Sequence, residues 1–84
     1  MVHYLIICRS LTYAQRTASL LERAGISAYI MRSPRIADAE GCSHAVRVRD
    51  KNITAALRIL AREEMNPKRV FVLSEDGGYQ EVFL

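Results

Sequence analysis

The sequence predicts an α+β sandwich of the ferredoxin-like kind, a β-α-β-β-α-β order with one extra strand at the C-terminal end. Three observations lead there. Apolar residues recur at helical spacing in only two windows. Short runs rich in β-branched and aromatic residues flank those windows, and the Gly, Pro and Asp/Asn signals fall between them. A split β-α-β order of this kind lays two helices over one face of an antiparallel sheet. The 84 residues leave room for one core, so residues 1–84 read as a single domain.

His3 to Cys8 (HYLIIC) is a short apolar run closed by Arg9 and Ser10, the pattern of a strand meeting a helix start. From Thr12 to Ala24, the residues Ala14, Thr17, Ala18, Leu21 and Ala24 keep helical spacing. Ser10 or Thr12 can cap this helix and Gly25 can stop it. Ile26 to Met31 (ISAYIM) reads as the second strand, halted before Ser33-Pro34 because proline donates no ladder hydrogen bond.

HAVRVR, residues 44 to 49, alternates: Val46 and Val48 face one way, Arg47 and Arg49 the other. Asp50 is the expected cap of a helix from Lys51 to Met65, with Ile53, Leu57, Leu60 and Ala61 as its buried stripe and Asn66-Pro67 as its end. Val70 to Ser74 and Tyr79 to Leu84, joined through Asp76-Gly77-Gly78, form a terminal hairpin. Val46, Val48, Ile53, Leu57 and Leu60 are therefore expected to be buried together.

Half the residues are apolar and a quarter are charged, the balance of a folded globular chain and not of a disordered one. No apolar run approaches the length needed to span a bilayer, and no basic segment precedes the first one. A cytoplasmic location without membrane contact is the expectation. Two cysteines make no disulfide framework. The net charge of +3 is scattered along the chain, and the aromatic signature of RNA-binding sandwiches is absent, so a nucleic acid is not the expected partner. Arg47 and Arg49 then read as a solvated face. Ser-His-Asp order, a phosphate loop and paired carboxylates are likewise missing.

In the expected topology the third strand lies between the first two and runs against both. Cys8, Arg9, Ser10, Arg32, Arg35, Cys42 and His44 then gather at one rim, beside the start of the first helix. A thiolate is favoured by a helix N-terminus, by arginine and by imidazolium, and Gly41 lets backbone N–H groups turn toward the sulfur. Cys42 is thus either a reactive thiol or a small buried filler. Cys8, at the end of a central strand, reads as buried, with a second-thiol role open if the two Cα atoms come within about 7 Å. His44 is a thiolate partner or an ordinary surface histidine. His3 and Cys8 stand roughly 16 Å apart along one strand, so four zinc ligands do not converge. Neither a metal nor any other cofactor is expected.

The chain resembles the small bacterial family of selenium/sulfur carrier-like proteins. Tyr4-Leu5-Ile6, Ser10 with Thr12, Ala24-Gly25-Ile26, Pro34-Arg35-Ile36 and Gly41-Cys42 carry the resemblance, over roughly the first two-thirds of the chain. It implies that Cys42 holds a persulfide or selenopersulfide received from a desulfurase-type donor and passes it to an acceptor enzyme, with Arg35, Gly41 and His44 around it. The chain reads Gly41-Cys42-Ser43 where the family pattern reads Cys-Gly, and Cys8 is no part of that pattern. The contrasting reading is a non-enzymatic regulatory or scaffold module that binds a small anion or a protein partner, since fold alone does not choose a function. Both readings leave a homodimer open.

Overall fold

The computed structural model describes residues 2–34, 44–67 and 69–82. In chain order these form β1 (His3–Cys8), α1 (Leu11–Arg23), β2 (Tyr29–Arg32), β3 (His44–Arg49), a 3-10 turn (Asp50–Asn52), α2 (Ile53–Arg62), β4 (Arg69–Leu73) and β5 (Tyr79–Val82). The class is α+β: two helices and one five-stranded antiparallel sheet in the order β2-β3-β1-β4-β5. β1 is central. It pairs with β3 from His3 opposite Arg49 to Cys8 opposite His44, and with β4 from His3 opposite Leu73 to Ile7 opposite Arg69.

Period-two alternation sends Ile6, Cys8, Val46 and Val48 to one sheet face, where both helices pack. α1 contributes Ala14, Ala18 and Leu21 to this core, and α2 contributes Ala56 and Leu60. The register read from HAVRVR holds: Val46 and Val48 are buried while Arg49 is exposed. The opposite face departs from the expectation of a solvated surface, because Leu5, Ile7, Ala45 and Phe71 form a second buried cluster there. Arginines lie over its rings. The guanidinium carbon of Arg47 stands 5.2 Å from the Tyr29 ring centroid, and that of Arg69 stands 4.9 Å from the Phe71 centroid. Arg69 also pairs with Glu81 on β5.

The second helix corrects three expectations. It begins at Ile53, after the 3-10 turn, and ends at Arg62. Asp50 heads that turn, its N–H bonded to the Val2 carbonyl at 3.2 Å, and neither Arg49 nor Asn52 makes a side-chain cap. The buried stripe is Ala56 and Leu60, flanked by Ile53 and Ile59, while Leu57 is only half-buried and Ala61 is exposed. Ala56 and Leu60 share the face of α2 that meets the core, and position 57, the next residue around the helix, falls at its margin. The second strand is also shorter than expected, because Ile26 is used to close the first helix.

Both helices end in the same hydrogen-bonded closure. After α1, Ile26 N–H donates to the Leu21 carbonyl at 2.9 Å and Gly25 N–H to that of Glu22 at 3.0 Å. After α2, Met65 N–H donates to the Leu60 carbonyl at 2.9 Å and Glu64 N–H to that of Ala61 at 3.2 Å. Each is a Schellman turn with an apolar residue, Ile26 or Met65, folded back onto the core. The residue in the left-handed region differs: Gly25 has φ +83° and Glu64 has φ +58°. Glycine bears that conformation without penalty, whereas a side chain costs about 1–2 kcal/mol.

Two stability outcomes follow from this packing. Leu60→Ala should cost about 2–5 kcal/mol on urea unfolding, with Leu57→Ala costing clearly less. Glu64→Gly should stabilise the domain by about 1 kcal/mol and Gly25→Ala should destabilise it by a similar amount. Equal losses at positions 57 and 60, or a destabilised Glu64→Gly variant, would contradict it.

Candidate functional site

The register lines up Arg32, His44 and Cys8 in one row across β2, β3 and β1. α1 starts next to that row because only Arg9 and Ser10 separate it from β1. Ser10 is the cap: its backbone is extended (φ −157°, ψ 166°) and its hydroxyl accepts from Tyr13 N–H at 3.1 Å. Thr12 is exposed within the first turn. The Arg9 guanidinium stacks on Tyr13, 5.2 Å from the ring centroid. Cys8, Arg9, Ser10, Arg32 and His44 thus share the rim expected of them, whereas Arg35, Gly41 and Cys42 lie outside the described residues.

Cys8 is set into the core with 1% of its surface exposed and carries a free thiol. Its Sγ lies 3.7 Å from the Ile6 carbonyl oxygen and 3.8 Å from Thr17 Oγ1, and the S–H can donate to either. Burial raises its pKa above the ordinary thiol value, and the hydrogen bond with Thr17 offsets only part of that rise. Such a thiol stays protonated and closed to solvent, the opposite of what thiol exchange needs. Thr17 itself is a polar residue on the buried stripe of α1. Its sequence signal, a hydroxyl among alanines and leucines at core spacing, could have identified it as the partner of a buried polar group.

Three polar atoms are buried without a hydrogen-bond partner among the described residues: Ser33 Oγ and His44 Nδ1 at this end of the sheet, and Arg47 Nε three residues along β3 on the other face. Ser33 is 6% exposed and directly follows β2. His44 is half-buried and shares the helix-side face with Cys8. Unpaired buried groups cost free energy and concentrate where function demands them. Among the described residues, no three of His, Cys, Asp and Glu come together as a metal site would need. No described helix is long and apolar enough to cross a membrane.

The chain is thus a small α+β protein in which the start of α1, Arg32 and His44 meet at one rim of the sheet. The chain belongs to the family described as "Putative Se/S carrier protein-like", whose model matches residues 3–72. That match extends through α2 and most of β4, well past the residues that carry the sequence resemblance. No curated protein and no solved structure matches the chain.

The buried thiol makes one outcome measurable. Its folded-state pKa is raised, so its contribution to stability is fully present below the ordinary thiol value of 9.0 and is lost as pH rises toward the folded value. The unfolding midpoint should therefore fall more steeply above that pH in the wild type than in Cys8→Ala, where the thiol is gone. Parallel alkaline slopes in urea titrations would show that Cys8 is not the titrating group.

Proposed function

We propose that the protein is a sulfur or selenium carrier whose cargo is held on Cys42. Membership of the carrier family supports carriage, and the burial of Cys8 supports the choice of thiol. The chain has two cysteines, and the one at position 8 is enclosed by the core with its pKa raised. A carrier thiol has to ionise and meet two partners in turn. Of the two, that role falls to Cys42.

In the loading step the Cys42 thiolate attacks the outer sulfur of a donor persulfide. A sulfur–sulfur bond forms at Cys42, the donor's own sulfur–sulfur bond breaks, and the donor cysteine leaves as thiolate. Sulfane sulfur moves without any outside oxidant, and selenium transfers in the same way. Delivery repeats the exchange, with the acceptor's nucleophile taking the outer atom. Arg35 supplies positive charge for the anionic forms, Gly41 gives the backbone freedom to turn N–H groups toward the cargo, and His44, with its buried Nδ1 unpartnered, adds a polar side chain two residues along the chain. The donor is a desulfurase-type enzyme and the acceptor an enzyme that consumes persulfide or selenopersulfide. In this reading the fold is ferredoxin-like, which two helices on one face of an antiparallel sheet with β1 at its centre support.

Intact-mass spectrometry after incubation with a cysteine desulfurase and cysteine, or selenocysteine, tests the assignment. The wild type and Cys8→Ala should each gain the mass of one sulfur or selenium atom, removable by thiol reductant. Cys42→Ser should gain none while unfolding at the wild-type urea midpoint. Loading that persists in Cys42→Ser and disappears in Cys8→Ala would reverse the roles. A wild type that never loads would favour the scaffold alternative.

A further inference from the structure

The helical layer carries a cleft of about 250 Å³ between the C-terminal half of α1 and the turn that ends α2, lined by Arg16, Ser19, Leu20, Arg23, Glu63 and Met65. Arg16, Leu20 and Arg23 follow each other at helical spacing and present one face of α1 to it. Glu63 and Met65 come from the closure of α2. The side chains of Arg16, Arg23 and Glu63 make no hydrogen bond or ion pair with one another or with any other described residue. Two cations and one anion therefore share a cleft while their charges stay unmatched.

The α2 closure gives up stability at this point. A carboxylate at Glu63, the C-cap of α2, stands at the negative end of the helix dipole, where a cation would be favourable. The next residue, Glu64, holds a left-handed backbone. The corresponding positions after α1 are Ala24 and Gly25, which carry neither penalty. One chain thus contains the same turn in a relaxed and in a strained, acidic form, and of the second it is the acidic C-cap, Glu63, that lines the cleft. A carboxylate kept at the unfavourable end of a helix and beside a cavity points to a use for that side chain.

We infer that this cleft binds a free α-amino acid. Arginine recognises a carboxylate through its planar donors, and the Ser19 hydroxyl adds a further donor on the same wall. Glu63 faces them as the acceptor for an ammonium group. Leu20 and the well-buried Met65, 5% exposed, offer an apolar surface to an unbranched side chain. The volume falls below the roughly 300–1,000 Å³ typical of drug-sized ligand pockets, which limits the occupant to something about as large as a single residue. The inference does not depend on the carrier reading, since none of these side chains belongs to the rim.

The test is an NMR titration of the full chain with L-methionine, with the amine lacking its carboxylate and with the acid lacking its ammonium group. Saturable shifts at residues 16–23 and 63–65 with L-methionine are expected, with each truncated analogue binding at least about tenfold more weakly, as loss of one charged hydrogen-bonding group implies. Glu63→Gln should weaken L-methionine binding while leaving the acid unaffected, and Arg23→Gln and Arg16→Gln should weaken both. These side chains lie on the surface, so unchanged spectra elsewhere will report an intact fold. Absence of shifts at the cleft overturns the inference. So does an acid that binds as tightly as L-methionine, which would make the cleft a simple anion site. Persulfide loading on Cys42 is measured separately, so failure here leaves that reading standing, and the reverse also holds.

Discussion

β1 is buried on both faces and paired on both edges, and every other element is placed by that constraint. Leu5, Ile6 and Ile7 each have 0% of their surface exposed, although neighbouring residues in a strand point to opposite sides. Ile6 requires the helical layer, while Leu5 and Ile7 require cover on the other face. With β3 and β4 occupying its two edges, β1 leaves α1 no route except out of the sheet plane. The short Arg9-Ser10 connection then places the start of that helix at the same rim as β3 begins.

The two helices answer a common demand in different ways. Each has to return the chain to the sheet within a few residues, and each does so with a Schellman turn that folds an apolar residue back onto the core. Leu21 with Ile26 and Leu60 with Met65 are equivalent pairs in this respect. The repeated geometry reflects the same problem solved twice by a β-α-β unit, while the residues that fill the turn differ in charge and in strain. That difference separates a purely structural closure from one whose side chains border a cleft.

The two thiols divide along the same lines. Cys8 fills a site against Thr17 where a small, weakly polar side chain packs well and where ionisation is disfavoured by lack of solvent. A core position of this kind cannot serve exchange chemistry without opening the fold. In the proposed reading exchange falls to Cys42, so the packing around Cys8 need not open when cargo changes hands. Unpartnered Ser33 Oγ and His44 Nδ1 stand at the two ends of that connection.

Much was legible from the sequence alone, where local periodicity and punctuation dominate. HYLIIC, the alternation of HAVRVR, the Ser10 cap, the Gly25 stop and the Asp76-Gly77-Gly78 turn each carry their conformation in a few residues, and the family follows from local motifs of the same sort. What depended on distant partners had to await the tertiary structure. Continuous burial of β1 cannot be told from one-sided burial by its own residues, because a run without polar positions is compatible with both. Leu57 and Ala56 both fit an apolar stripe, and only the face that α2 turns to the core decides between them. Glu64 has no sequence signal for a left-handed backbone, since the need to bring Met65 onto the core imposes it. The candidate site divides in the same way: Cys42 stands out by composition, whereas the exclusion of Cys8 rests on long-range packing against Thr17 and the sheet, which no local pattern encodes.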